Sequence, residues 1–195
     1  MNISPVTLEG HHVRLVPLES SHASGLWEAG QDPEVWRFTT SRISSEADMA
    51  AYVATALDEQ TRGLSIPFST IAKASGAIAG TTRFANIVRE HKRVEIGWTF
   101  VGPAWQRTAI NTEAKYLMLT HAFNVWGCNR VELKTNALNV RSREAMLRIG
   151  CTEEGTLRRH MINPDGTTRD TVYFSIIAEE WPEKRARLEQ MLQRP

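Results

Sequence analysis

The sequence predicts a mixed α+β domain whose single sheet is mostly antiparallel. Short alternating apolar segments separated by turn residues fill the first half of the chain, and a helical segment joins two strands in the second half. A short turn joins antiparallel neighbours, whereas a crossover helix favours parallel ones. We therefore expect one parallel pair in an otherwise antiparallel sheet, with a ligand cleft at that pair.

The first half of the chain is expected to contain four strands and two helices. The strands are predicted at 13–18, 66–73, 76–86 and 90–101, and the helices at about 21–30 and 45–61. The serine pair 44–45, followed by Asp48, is typical of a helix amino-terminal cap. The short turn 74–76 suits a hairpin, and Gly102 with Pro103 ends the last of these strands.

The second half alternates helices and strands. Helices are predicted at about 111–126, 141–149 and 179–192, and strands at 131–135, 152–162 and 168–177. Ala114, Leu117 and Met118 recur at helical spacing, and Asn111 is interpreted as the amino-terminal cap of their helix. The turn 163–166, with the sequence Asn-Pro-Asp-Gly, separates the last two strands.

Length and charge are typical of one small domain spanning residues 1–195. A chain of 195 residues is long enough to bury a real core. With 23 basic and 22 acidic residues the formal net charge is +1, so general attraction to nucleic acid loses its main driving force. No apolar run approaches the roughly 20 residues that span a bilayer. We therefore expect neither nucleic acid nor a membrane as a partner.

The start of the chain lacks the basic and apolar regions of a signal peptide. This predicts a cytoplasmic protein in which Cys128 and Cys151 are reduced. The six histidines show no metal-ligand spacing, so no metal site is predicted.

The stretch 105–114 is the most informative part of the chain, because it connects a strand to a helix. Such a turn leaves the first helical amides without intrahelical acceptors and adds the positive end of the helix dipole. A pyrophosphate is a natural ligand there. The glycine-rich phosphate loops of the usual motifs are absent, so an ordinary strand–helix connection is the alternative.

The segment 95–114, together with 139–142 and 148–150, resembles the GNAT superfamily of acetyl-CoA-dependent N-acetyltransferases. Within that superfamily the similarity is greatest to the RimJ/RimL-like ribosomal-protein N-terminal acetyltransferases. Further matches at 8–10, 13–18, 32–36, 154–158, 165–166 and 169–171 extend the resemblance nearly end to end. It implies a three-layer α/β/α fold with a mixed, mostly antiparallel central sheet, a splayed parallel pair at the CoA cleft, and acetyl-CoA as cosubstrate.

The pyrophosphate loop of the family reads Gln or Arg, two residues, Gly, one residue, then Gly or Ala. Gln106 fits this pattern, but Ala109 and Asn111 fill the small positions. The residues expected to contact CoA are Trp98, Phe100, Val101, Gln106, Arg107, Thr108, Ala109, Ile110, Asn111, Thr112, Asn139 and Ser142. Gly97 is interpreted as a bulge that splays its strand and admits the pantetheine arm, with close packing as the alternative.

The resemblance also implies roles in catalysis. Glu95 would accept the amine proton, and Ser142 would hydrogen-bond the departing CoA thiolate. Many relatives carry a tyrosine where this chain has Met146. The alternatives are an ordinary strand glutamate at 95, and helix capping by Asn139 or Ser142.

The acceptor pocket is expected to include Trp36, Phe38, Arg83 and Asn86. Three other tryptophans, Trp98, Trp105 and Trp126, are expected in the core, although the backbone near Trp98 is also expected to meet the thioester carbonyl.

The predicted function is transfer of an acetyl group to a primary amine by direct attack in a ternary complex. A protein or peptide α-amine is preferred, because its pKa of about 8 leaves part of it neutral, whereas a lysine near 10.4 is almost fully charged. The alternatives are a small-molecule amine such as a polyamine, amino acid or aminoglycoside, a CoA-binding module with little catalysis, and a structural dimer without a CoA site. A homodimer is a possible assembly for the enzyme as well.

Overall fold

One continuous sheet of eight strands forms the centre of the computed structural model, which describes residues 1 and 3–193. The strands are β1 (Leu8–Glu9), β2 (Val13–Pro17), β3 (Ser65–Ala72), β4 (Ile78–Val88), β5 (Arg93–Val101), β6 (Arg130–Asn136), β7 (Thr152–Ile162) and β8 (Thr168–Ile177). The α-helices are α1 (Ala23–Gly30), α2 (Glu46–Thr61), α3 (Ala109–Thr120), α4 (Val140–Arg148) and α5 (Trp181–Leu192). Short 3-10 turns lie at Ser20–His22, Pro33–Val35 and Pro103–Trp105. In the described part of the chain, no helix has both the length and the apolar character needed to cross a bilayer.

The strand order is β1-β2-β3-β4-β5-β6-β8-β7, and β5 with β6 is the parallel pair. The parallel register covers only Arg93–Glu95 of β5 against Arg130–Glu132 of β6. Beyond those residues the two strands pair no further, so a gap opens between their carboxyl ends. This confirms the predicted mostly antiparallel sheet with one splayed parallel pair.

Helices cover both faces of the sheet. Helices α1 and α2 pack against β3 and β4, where Leu26, Met49 and Val53 are almost fully buried. Helices α3 and α5 pack together on the other side, with Met118 and Leu188 fully buried. This arrangement confirms the predicted three-layer fold, because each helix buries one apolar face against the central sheet.

Helix α2 begins where its sequence pattern placed it. The Ser45 hydroxyl accepts a hydrogen bond from the Asp48 amide at 3.1 Å, and the Asp48 carboxylate accepts one from the Ser44 amide at 2.9 Å. These bonds satisfy backbone donors that the helix itself leaves free.

Helix α3 differs from the prediction at both ends. Thr108, not Asn111, is its amino-terminal cap: its backbone is extended, and its hydroxyl accepts a hydrogen bond from the Ile110 amide at 3.3 Å. The interpretation of Asn111 as the cap was wrong, because the apolar repeat begins only at Ala114 and placed the helix start too late. The α-helix ends at Thr120 and continues as a π-helical turn to Val125.

Strand β1 has only two residues and was not predicted, but it helps to fix α3. The buried Glu113 carboxylate accepts hydrogen bonds from the amides of His11, His12 and Val13 at 2.8, 2.6 and 2.7 Å. A charged acceptor with three amide donors is well compensated in the interior. These bonds tie the β1–β2 turn to α3.

Candidate functional site

A cleft of about 720 Å³ opens where β5 and β6 diverge. Its lining comes from β5, β6, the start of α3, α4 and the segment 35–41. One part, here called the helix end, lies at the starts of α3 and α4 and is lined by Gln106, Arg107, Thr108, Asn111, Asn139, Arg141 and Ser142. Ala109, Ile110 and Thr112, which were also predicted to contact CoA, do not line it. The other part, here called the sheet end, is formed by Glu95, Trp98, Lys134, Arg169 and the segment 36–41. A volume of this size suits a cofactor-sized ligand.

A bulge in β5 shapes the sheet end. Arg83 of β4 pairs with Gly97, and Thr81 pairs with Phe100, so β5 uses one more residue than β4 over this interval. Trp98, inside the interval, has φ of 49°, which is unusual for a bulky residue. The irregularity lies where Gly97 predicted it, and it turns the backbone of β5 away from regular pairing.

Trp98 is exposed at the surface of the cleft, which corrects its predicted place in the core. Its side chain is 38% exposed, and the cationic groups of Arg83 and Lys134 lie 5.1 and 5.7 Å from its ring centre. The bulge explains the difference, because it moves this position out of the alternation that would bury it. By contrast, Trp126 is buried and Trp105 is half-buried.

Glu95 is a buried carboxylate with one oxygen held and one facing the bulge. Its side-chain Oε2 accepts hydrogen bonds from Asn86 Nδ2 at 2.7 Å and from Lys134 Nζ at 2.9 Å. A methyl group added at Gly97 would lie 2.9 Å from Oε1. The residue Glu95 is only 2% exposed, yet it lines the cleft. An oriented, charge-assisted carboxylate of this kind can accept a proton from a ligand.

The predicted acceptor residues are distributed around this carboxylate. Trp36 lines the cleft, donates from Nε1 to the Gly30 carbonyl at 2.7 Å, and packs against Phe100 at 4.8 Å between ring centres. Phe38 also lines the cleft. Asn86 is exposed and reaches the cleft through its hydrogen bond to Glu95.

Arg83 lies beside the cleft in a smaller neighbouring cavity that Trp98 and Tyr52 also line. It forms an ion pair with Glu59 at 2.7 Å, and its guanidinium carbon lies 5.3 Å from the ring centre of Tyr52. Arg83 therefore contacts Trp98 from this smaller cavity and does not line the main cleft itself.

The helix end combines free helix amides with side chains that fix the loop. Gln106 donates from Nε2 to the Val101 carbonyl at 2.9 Å and accepts from Arg141 Nη1 at 2.9 Å. Arg107 is exposed with φ of 63°, which turns the chain into α3. Ala109 is already helical, so the missing glycine at that position causes no backbone strain.

The residues around Asn111 give this end an anion-binding character. The Asn111 Oδ1 atom is buried without a hydrogen-bond partner among the described residues, and the residue lines the cleft. Thr112 accepts a hydrogen bond from Arg148 Nη1 at 3.1 Å. Arg107, Arg141 and Arg148 all line the cleft near the amino terminus of α3. Positive side chains and free helix amides together suit a phosphate group.

The start of α4 forms the far wall of the helix end. Asn139 Oδ1 accepts a hydrogen bond from the Ser142 amide at 3.1 Å, so Asn139 is the helix cap. Ser142, the third residue of α4, lines the cleft, and Met146 is buried on the same wall. Asn139 therefore caps α4 while its helix presents Ser142 to the cleft.

Sequence reasoning missed Lys115, Lys134 and Arg169 as cleft residues. Lys115 Nζ donates to the hydroxyls of Thr99 at 2.7 Å and Thr82 at 3.2 Å, and burial lowers its pKa to about 7. A lysine between Ala114 and Met118 on the buried side of a helical repeat was the available signal. Nothing in the local sequence predicted Lys134 or Arg169, because their neighbours come from distant strands.

Both cysteines are free and buried. Burial raises the pKa of Cys151 to about 12 and that of Cys128 to about 11. A thiol held in its protonated form is a poor nucleophile. Among residues 1 and 3–193, no cluster of three or more potential metal ligands is present.

Comparison with known proteins finds a family model that matches this chain and relatives that match it over part of their length. The family model for an acetyltransferase (GNAT) domain matches residues 12–152. YdaF of Bacillus subtilis strain 168, named provisionally as a ribosomal N-acetyltransferase, is 30% identical over 106 residues, which is 54% of this chain and 57% of YdaF. Another N-acetyltransferase of that organism, YoaA, is matched over 55% of its own length, so the chain spans little more than half of these relatives.

Solved structures match over nearly the whole chain. A GCN5-related N-acetyltransferase from Brucella melitensis is 29% identical with a TM-score of 0.90, covering 98% of this chain and 90% of that one. RimJ of Mycobacterium smegmatis, solved in complex with CoA-disulfide, has a TM-score of 0.81 at 23% identity, covering 96% and 95%. The RimJ likeness shows the fold, and the relatives agree with the RimJ/RimL-like resemblance.

Proposed function

The chain belongs to the GNAT acetyltransferase family, and on that premise we propose that it transfers an acetyl group from acetyl-CoA to a primary amine. One observation carries the proposal: a buried carboxylate and a cation-rich helix amino terminus open into the same cleft. The first suits an amine that must lose a proton, and the second suits the phosphates of a CoA ester.

The helix end is proposed to hold CoA. Its pyrophosphate would lie against the amides of 107–112, with Arg107, Arg141 and Arg148 close enough to offset its charge. The unpartnered Asn111 Oδ1 supports a ligand at this position, because a buried polar atom of a native site usually has a partner. A donor group from the ligand or a bridging water would satisfy it.

The amine is proposed to enter at the sheet end and attack the thioester directly. Glu95 Oε1, the oxygen without a side-chain partner in the described residues, is the atom proposed to accept the amine proton, directly or through water. Lys134 and Asn86 hold the other oxygen and so fix the carboxylate plane. The high pKa of Cys151 supports a route without a cysteine-bound acetyl intermediate.

Ser142 is proposed to assist the departing thiolate. Its position on the cleft wall, beside the buried Met146, supports a hydrogen bond from its hydroxyl to sulfur. A thiol with an ordinary pKa near 8.5 is a fair leaving group, so this assistance is worth only a few-fold in rate.

A protein or peptide α-amine is the proposed acceptor. The provisional name of YdaF points to a ribosomal protein for that relative. In this chain, an aromatic wall of Trp36, Phe38 and Trp98 borders the sheet end and offers apolar surface to the first side chain of a peptide. A small-molecule amine is the alternative.

The test is a transfer assay with acetyl-CoA and three acceptor groups: peptides with free amino termini, the same peptides blocked at the amino terminus but carrying a lysine, and small polyamines. Release of CoA thiol gives the rate, and mass spectrometry gives the acetylated nitrogen. Acetylation of the free α-amine supports the proposal. Acetyl-CoA binding without turnover on any acceptor would instead favour a CoA-binding module. Ala109, Asn111 and Met146, which depart from the family pattern, are the residues that suggested this alternative.

A further inference from the structure

Arg169 is a buried cation on the wall of the sheet end. The residue is 9% exposed and lines the cleft. Its Nη1 donates to the Phe38 carbonyl at 3.1 Å, and its Nε donates to the Thr171 hydroxyl at 3.4 Å. Both acceptors are neutral, and no carboxylate of the described residues lies within ion-pair distance of its guanidinium group.

The neighbouring charges are already paired with one another. Glu95 pairs with Lys134 at 2.9 Å, and Glu59 pairs with Arg83 at 2.7 Å. Among the described residues named above as the sheet end, Arg169 is therefore the cation without a carboxylate partner. Burial lowers the pKa of its guanidinium group, and the negative charge of Glu95 opposes that effect. Arginine nonetheless remains charged in proteins, so the site keeps an excess positive charge.

A buried charge without a counter-ion is unfavourable, because neutral hydrogen bonds compensate only part of its lost hydration. A ligand that brings a negative group would restore the balance. The planar guanidinium group presents its donors as a fork that fits a carboxylate. Arg169 can thus bind a ligand carboxylate as well as hold the segment that contains Phe38, which we call loop anchoring.

We propose that Arg169 binds a carboxylate carried by the acceptor, so that the preferred acceptors are amines with an acidic group close to the reacting nitrogen. The inference rests on the proposed function, since it assigns the acceptor of the same reaction. The amine faces Glu95, the acid faces Arg169, and Trp36, Phe38 and Trp98 border the space for the atoms between them. The acid can be the carboxyl terminus of a dipeptide or an acidic side chain at the second position of a longer peptide.

The test uses acceptor pairs that differ in charge but have similar amine pKa values. One pair is a dipeptide with a free carboxyl terminus and its amide. The other is a carboxyl-amidated pentapeptide with Asp or Asn at the second position. In the wild type, the kcat/KM of the acidic member of at least one pair should be at least about tenfold higher than that of its neutral member. The difference should arise mainly from a lower KM, as expected for one charge-assisted hydrogen bond. The pair that shows the preference identifies the source of the carboxylate.

Two variants separate ligand binding from loop anchoring. Arg169→Gln should remove the preference by weakening the acidic acceptor alone, whereas Thr171→Val keeps the cation and should keep the preference. Acetyl-CoA affinity and thermal midpoint serve as folding controls. If Arg169→Gln does not fold, Arg169→Lys keeps the charge without the fork and should reduce the preference without abolishing it.

Equal rates for both members of both pairs in the wild type would overturn the proposal. An Arg169→Gln protein whose kcat/KM falls by the same factor for acidic and neutral acceptors would also overturn it. That result would mean that Arg169 acts only by holding the backbone at Phe38. Absence of transfer to every acceptor, including neutral ones, would overturn the proposed function and this inference with it.

Discussion

The helix end of the cleft combines backbone amides, short polar side chains and three arginines around two helix starts, whereas the sheet end relies on charged side chains from separate strands. At the helix end, Thr108 and Asn139 cap two helices that meet across the cleft. At the sheet end, Lys134 of β6 neutralises Glu95 of β5, and Arg169 of β8 stands unpaired. The difference suggests a division of labour, in which one end determines CoA affinity and the other determines the acceptor and the rate.

The largest effect is expected at Glu95. Glu95→Gln keeps the size of the side chain but removes the proton acceptor, so kcat should fall about 100-fold, within the usual range for a general base. The dissociation constant for acetyl-CoA should change by less than about twofold, because the helix end is untouched. Steady-state kinetics and calorimetric titration measure the two quantities. A rate equal to that of the wild type across pH would remove Glu95 as the base.

The reverse pattern is expected at Asn111. Asn111→Asp places a negative charge beside the proposed pyrophosphate and should weaken acetyl-CoA binding roughly tenfold, or about 1.4 kcal/mol. Its effect on folding should be smaller than its effect on binding, because the favourable position of an acidic residue in the first turn of a helix offsets part of the cost of burying the new charge. Titration calorimetry and thermal unfolding measure the two effects.

Thr108→Ala is the matched control for Asn111→Asp. It removes the cap without adding charge, and should cost about 1 kcal/mol of folding stability. Unchanged acetyl-CoA affinity in Asn111→Asp would place the phosphates elsewhere in the cleft.

A smaller change at Gly97 tests how precisely the sheet end must hold its carboxylate. In Gly97→Ala the new methyl group would lie 2.9 Å from Glu95 Oε1 and should push the carboxylate out of position. We expect kcat to fall about tenfold with acetyl-CoA affinity retained, because small misplacements of reacting groups reduce rates strongly. A variant with full activity would show that the carboxylate tolerates the shift.

The smallest effect is expected for folding stability at Lys115. Its folded-state pKa of about 7 lies below its unfolded value, so the lysine is charged in both states at low pH, where folding carries the full cost of burying it. That cost is relieved as pH rises above about 7 and until about 10.4, since the unfolded chain still binds the proton. The free energy of unfolding should therefore rise with pH over this window.

The contribution of Lys115 is isolated by comparing the wild type with Lys115→Met. Between pH 6 and pH 8 the wild type should gain roughly 1 kcal/mol of unfolding free energy relative to the variant. Denaturant unfolding at the two pH values gives the difference. Parallel pH profiles for the two proteins would mean that Lys115 titrates as an ordinary lysine.

The two ends also differed in how far the sequence predicted them. The strand–turn–helix pattern around 105–114 located the helix end, because local periodicity and turn residues determine such a connection. Only the boundary was wrong, since Thr108 caps α3 three residues before Asn111. The mixed pairing of the strands was likewise predicted from turns and the crossover helix, whereas the position of β8 between β6 and β7 was not.

The sheet end could not be assembled from local pattern alone. Glu95 was named through the family resemblance, but Lys134 and Arg169 reach it through strand pairing that joins β5, β6 and β8. The bulge in β5 was predicted from Gly97, but its effect on the neighbouring side chain was not, so Trp98 was assigned to the core. Nonlocal pairing and a single inserted residue thus decided the features that sequence periodicity does not encode.

The central claim is that the cleft binds acetyl-CoA through its helix end, and calorimetric titration of the protein with acetyl-CoA tests it most directly. Desulfo-CoA and ATP are the controls, the first for the sulfur and the second for general phosphate affinity. We expect one site per chain with micromolar affinity for acetyl-CoA, similar affinity for desulfo-CoA and much weaker affinity for ATP. No saturable binding of acetyl-CoA, or equal binding of ATP, would contradict it.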